Sequence, residues 1–261
     1  MSDSRSSDYD TFGADVPQIR RIDTEDLRGA LADGWADFKA APLFGLFFAL
    51  VYTLGGIALA FGLIGAGELF WFIPIAAGFP LLAPFAAVGL YEVSRRREAG
   101  EPLKWGPVLT ALRGHRDGQL PVMAVVVLLV FGFWVILARG IFAIYLGQSV
   151  LGADILSQLL TFGGIAMLLI GTLVGGLIAL GLFTVTAFSL PMLLDRPVDF
   201  ATAIITSIAA VRANGMVLLR WAAIIAGLLI VAMLPLFLGL VIVLPLLGHA
   251  TWHLYRRAVT A

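Results

Sequence analysis

The chain has 261 residues, 60% hydrophobic and 13% charged, with 17 Lys and Arg balancing 17 Asp and Glu. That charged fraction is half the roughly 25% of a soluble domain, and a mean hydropathy of +0.98 excludes a soluble protein. Zero net charge offers no nucleic-acid surface, and the absence of cysteine rules out disulfides, thiolate zinc sites, Fe–S clusters and c-type haem attachment.

Basic residues set the expected topology. Sixteen of the 17 fall in four blocks that flank or separate three apolar tracts, and only Arg139 stands apart. Cytoplasmic loops collect Lys and Arg, so each tract between blocks must cross the membrane twice, with both termini inside.

In chain order, residues 1–19 are rich in Ser and Asp and read as a disordered cytoplasmic tail, because they bury too little apolar surface to offset ordering. Leu27, Leu31, Trp35 and Phe38 then lay one apolar stripe along a helix at the cytoplasmic surface. Leu43 to Gly65 is the first span, a retained anchor and not a cleaved signal. Gly65, Gly67 and Glu68 make the outer turn, and Leu69 to Tyr91 returns, irregular at Pro80 and Pro84. A third span starts near Leu120 and reaches Ala138, with Arg139 snorkelling at its outer end. After an outer segment, Gly147 to Ser157 with Asp154, Leu159 to Leu194 returns and is longer than a bilayer needs. Met216 to about Leu236 and about Leu238 to His253 form the last pair, joined by a tight turn near Gly239. The expected fold is all-α, a single six-helix membrane domain over residues 20–258 (hairpins about 43–91, 120–194 and 216–253) with a short tail at 259–261.

The surface segments share a spacing. Asp26 precedes Leu27, Leu31, Trp35 and Phe38 as Asp199 precedes Phe200, Ile204, Ile208 and Val211, and the match runs on, pairing Ala41 with Asn214. Trp105, Leu109 and Leu112 form a weaker copy. Any interfacial helix before a span has this pattern; read as a repeat, it describes three units of a cytoplasmic surface helix plus a membrane hairpin.

Three stretches, Gly89–Arg96 (GLYEVSRR), Phe188–Asp195 (FSLPMLLD) and Leu244–Arg256 (LPLLGHATWHLYR), resemble a family of bacterial inner-membrane proteins catalogued only as a domain of unknown function. The resemblance covers roughly residues 20 to 258 and implies location and architecture, with no activity to carry over. Some relatives are labelled respiratory-oxidase subunits. Three histidines, one of them His115 in a loop, are too few for a catalytic haem–copper subunit, while an accessory or assembly role remains open.

His249 and His253 share a helix face at a spacing suited to one zinc or copper ion, with Glu92 as the nearest further ligand. The competing reading anchors the last helix through these histidines, Trp252 and Tyr255, and is preferred because the metalloprotease pattern needs a Glu where Ala250 stands. The glycines at 163, 164, 171, 175, 176 and 181 give the fourth span a small-residue face suited to helix packing. The expectation is a noncatalytic inner-membrane scaffold or accessory protein, without cofactor, that binds membrane lipids, a membrane-protein complex or a second copy. A small-solute transporter and a metal-dependent membrane protein are the alternatives.

Overall fold

The computed structural model describes residues 17–67, 71, 75, 78–112, 119–147, 155–235 and 237–260. Glu68, His115, Asp154 and nearly all of the expected disordered tail lie outside them. The elements are β1 (Gln18–Ile19), α1 (Thr24–Ala40), α2 (Pro42–Gly65), a 3-10 turn (Phe79–Leu82), α3 (Ala83–Glu98), α4 (Trp105–Ala111) and α5 (Gln119–Tyr145). After these come α6 (Ile155–Leu159), α7 (Phe162–Thr186), α8 (Ser189–Asp195), α9 (Phe200–Ala213), α10 (Gly215–Met233), α11 (Leu240–Ala258) and β2 (Val259–Thr260).

Four helices are long and apolar enough to cross a membrane: Pro42–Gly65, Gln119–Tyr145, Phe162–Asp195 and Gly215–Met233. The expected second span lies partly outside the described residues, and its described part is the 3-10 turn at Phe79–Leu82 followed by α3. The expected sixth span is α11, which carries His249, His253, Arg256 and Arg257 along one helix and is too polar to qualify by composition. It is also the axis of the bundle, packed against α1, α2, α3 and α10.

Local chemistry explains where the helices begin and end. Asp23 caps α1 in a reciprocal capping box with Asp26, and Asp199 caps α9 by accepting from the Ala201 and Thr202 amides. Each of these helices is parted from the following span by one residue out of helical geometry, Ala41 or Asn214. Between α7 and α8 the helix breaks at Ala187 and Phe188, where Ser207 donates to the Thr184 carbonyl at 2.8 Å and accepts from the Phe188 amide at 3.2 Å. The freed backbone groups are thereby satisfied inside an apolar protein, where leaving them bare is costly. The α10–α11 turn is as tight as expected: Phe237 takes a φ of 65°, and a Cβ on Gly239 would lie 2.6 Å from the Ala232 Cα.

The surface stripe is divided between two environments. Leu27 and Phe38 are buried with Ala30, Gly34 and Asp37, whereas Trp35 points away, 41% exposed. The reason is α11: at Gly34 the two backbones approach so closely that a Cβ there would lie 2.5 Å from the Ala250 nitrogen. The helix therefore turns its small residues and Asp37 inward. The expected small-residue face of the fourth span is also only partly used, since Gly175 meets Trp134 while Gly171, Gly176 and Gly181 face open space.

The ends are tied together. β1 and β2 pair antiparallel, Gln18 opposite Thr260 and Ile19 opposite Val259, so the ordered domain begins before residue 20 and continues past 258. Asn214, buried at the α9–α10 break, accepts from the Ile22 amide at 2.8 Å and donates to the Arg20 carbonyl at 3.1 Å.

Candidate functional site

The polar residues of the bundle converge at one end, where α1, α3, α8 and α11 meet. Asp37 is the centre. Its Oδ2 accepts from Ser94 at 2.6 Å and from His253 Nε2 at 2.8 Å, and its Oδ1 accepts from Arg97 Nε at 2.7 Å. Burial alone would raise the Asp37 pKa, but the hydrogen bonds from His253, Ser94 and Arg97 outweigh it and hold the carboxyl well below the usual carboxylate range.

Ser94 Oγ also lies 2.8 Å from His249 Nδ1. A hydroxyl has one proton, and the ionised Asp37 takes it, so His249 must donate its Nδ1 proton to Ser94. This assignment leaves Nε2 of a neutral His249 as an acceptor, and that nitrogen is buried with no partner among the described residues. The wiring differs from a hydrolytic triad, in which His stands between Ser and Asp and takes the serine proton. Here Ser94 stands between His249 and Asp37 and is buried, so it is no nucleophile for an outside substrate.

Three further clusters complete the network. Glu92 accepts from Arg95 at 2.8 and 3.0 Å and from Arg96 at 2.7 Å, and both arginines reach Glu101. Glu98 accepts from the Trp252 indole and from Arg256, each at 3.0 Å, while Asp195 accepts from the Tyr255 hydroxyl at 2.7 Å and Arg256 at 3.0 Å. Arg257 pairs with Asp33 at 2.6 Å, and Arg20 with Asp26 at 2.6 Å.

The structure thus brings His249 and His253 to a common acid–hydroxyl pair and keeps Glu92 away from both. Among the described residues no set of three His, Asp or Glu side chains is placed to hold a metal ion. The histidines bond to Ser94 and Asp37 on the neighbouring helices α3 and α1. Asp37 and Arg97 stand outside the residues singled out in the sequence, and Ser94 enters only as part of the Gly89–Arg96 motif. A signal was present: Asp26, Asp33 and Asp37 recur along one side of α1, and His253, Arg256 and Arg257 crowd the last turns of α11, an acidic helix matched to a basic one.

Beside the network lies an apolar cavity of about 410 Å³ between α3, α7, α10 and α11, lined by Tyr91, Gly176, Ala223, Gly248 and others. Its Thr186 and Thr251 hydroxyls donate to the Leu182 and Leu247 carbonyls of their own helices. Thr184 and Ser189 also bond to their own backbone, while the Thr53 hydroxyl is buried without a partner among the described residues.

Residues 72–195 match a family model described as predicted integral membrane protein (DUF2189). The matched stretch contains the Gly89–Arg96 and Phe188–Asp195 motifs; the Leu244–Arg256 motif lies beyond it. No curated protein and no solved structure matches the chain.

Proposed function

We propose that the chain is a noncatalytic scaffold or accessory protein of the bacterial inner membrane, with six crossings and cytoplasmic termini, that holds partner proteins or lipids at its cytoplasmic surface helices. The observation that carries this reading is that the reactive side chains, His249 Nε2 apart, satisfy one another. Ser94, His249 and Asp37 are closed off from solvent, and Glu92 is held by two guanidinium groups. A catalytic or transport site keeps such groups turned toward a cavity, and the cavity here is walled by apolar side chains.

The network also supports the crossing count, since ion pairs cannot form across a hydrocarbon core of about 30 Å. Asp37 bonds Ser94 and Arg97, so an even number of crossings separates α1 from the end of α3. Glu98 and Asp195 share Arg256, and Asn214 is tied to Arg20, which itself bonds the Arg257 carbonyl. The intervals 37–94, 98–195 and 214–257 each contain at least one helix apolar enough to cross, so each takes two crossings. The positive-inside rule then assigns the arginine-rich end to the cytoplasm. A short helix, α1, α4 or α9, precedes the first apolar helix of each interval, in keeping with a threefold repeat.

Trp35 on α1, Trp105 on α4 and Phe200 on α9 are each partly exposed, which suits an interfacial contact with lipid or a partner. Purification of the native protein in mild detergent, followed by identification of retained proteins and lipids, tests the proposal. The expected result is a reproducible set of membrane proteins or lipids that is diminished by replacing Trp35 and Trp105 with Ala. Solute flux or substrate turnover by the purified chain alone would overturn it.

A further inference from the structure

The cavity between α3, α7, α10 and α11 is about as long as one membrane leaflet is deep. Its lining on α7 runs from Gly176 to Thr186, and on α10 from Leu219 to Leu229, which at 1.5 Å per residue is about 15 Å along each helix. A hydrocarbon core of about 30 Å contains two such depths.

Small residues make the space. Ala87, Gly176, Ala179, Ala223, Ala226 and Gly248 all face it. Such residues ordinarily draw membrane helices together, yet α7 packs chiefly on α5 and α9 and leaves the cavity on its other side. The space is a groove open along one side, with its lining residues Leu180 and Leu219 exposed, and an apolar chain lying in it gains dispersion contacts with the atoms that line it. Water is a poor occupant because it needs two to four polar partners, and the threonine hydroxyls are already bonded. Tyr91 is the exception. It is 5% exposed, lines the cavity at the network end, and its hydroxyl has no hydrogen-bond partner among the described residues.

We infer that the cavity holds one acyl chain of a membrane phospholipid from the leaflet on the network's side, with the Tyr91 hydroxyl donating to the ester carbonyl at the head of that chain. Leu180 on α7 and Leu219 on α10 line the cavity and are themselves exposed, and Leu173 and Leu177 are exposed beside it, so bilayer chains can enter it from the side. The site depends on the chain spanning a bilayer and is independent of the scaffold role.

The full chain, reconstituted into phosphatidylethanolamine and phosphatidylglycerol vesicles containing a phospholipid with a diazirine midway along one chain, tests this by photolabelling and peptide mapping. Adducts are expected on residues 179–187 and 219–229 as well as on the outward Leu173 and Leu177. Ala223→Phe, which obstructs the cavity midway along its α10 wall, should diminish the lining adducts and spare the outward ones. Tyr91→Phe keeps the ring and removes one hydrogen bond, so the lining adducts should fall by about fivefold, and this variant decides the matter if Ala223→Phe does not fold. Adducts confined to outward residues, or lining adducts unchanged in Tyr91→Phe and in a folded Ala223→Phe, would overturn the proposal. So would modification of Ala223→Cys, the sole thiol in a chain without cysteine, by a water-soluble reagent, since that marks an aqueous cavity.

Discussion

Because the Ser94 proton goes to Asp37, His249 must donate through Nδ1, whereas His253 reaches Asp37 through Nε2. Amide replacements distinguish these two demands, since an Asn side-chain amide overlays Nδ1 and a Gln amide overlays Nε2. His249→Asn and His253→Gln should therefore retain most of the wild-type melting temperature in detergent, while His249→Gln and His253→Asn each lose about 1–3 kcal/mol by stranding a buried polar group. The reverse ranking would refute the proton assignment. Asp37 makes a second prediction through pH. Its folded pKa lies below the unfolded carboxylate value of about 3.9, so its stabilising contribution is complete above that value and is lost as pH falls through the folded pKa. The melting-temperature gap between the wild type and Asp37→Asn should be widest near neutral pH and narrow below about pH 4. A gap of constant width down to about pH 3 would show that ionised Asp37 does not stabilise the fold.

At the scale of the element, the junction between α1 and α11 depends on a residue without a side chain. Gly34→Ala puts a Cβ 2.5 Å from the Ala250 nitrogen and 2.8 Å from its Cα, and overpacking against backbone should cost about 1–3 kcal/mol. Gly171→Ala, with nothing within 4 Å, serves as the control, and equal melting temperatures for the two variants would contradict the close contact. Much of the element order was legible in the sequence because hydropathy, charge blocks and turn glycines are local signals: the first, third, fourth and fifth spans, the irregular backbone at Phe79–Leu82 and the Gly239 turn all follow from them. The burial of α11 was not. Its composition resembles that of an interfacial span, and only the acids supplied by α1, α3 and α8 allow its His249, Trp252 and Tyr255 to be enclosed. The division of the α1 stripe was hidden for a related reason. A period near 3.6 places Trp35 on the apolar stripe, but Gly34 and Asp37 have the stronger claim on the inner face, one by fitting Ala250 and the other by accepting from His253. Of the candidate site, His249 and His253 were identified from spacing alone, while their partners Ser94 and Asp37 lie 155 and 216 residues away along the chain and leave no local pattern.

For the whole molecule, the polar network acts as a clasp that gathers four stretches of the chain at one end of the bundle, while the helices beyond it present apolar faces such as Leu169 and Leu177 on α7 to their surroundings. The pairing of Gln18–Ile19 with Val259–Thr260 brings the chain ends to that same end, so the clasp determines topology as well as stability. The most direct test is a map of sidedness using single cysteines introduced into the cysteine-free chain and an impermeant thiol reagent applied to intact cells and to inverted vesicles. With six crossings, cysteines at Gly100, Asp199 and Ala261 react only from the cytoplasmic side, and those at Gly67, Asp154 and Leu238 only from the outer side. A chain crossing only through its four most apolar helices would expose Gly100 and Asp199 outside and Asp154 and Leu238 inside, and that pattern would contradict both the six-span arrangement and the clasp that holds Asp37 against Arg97.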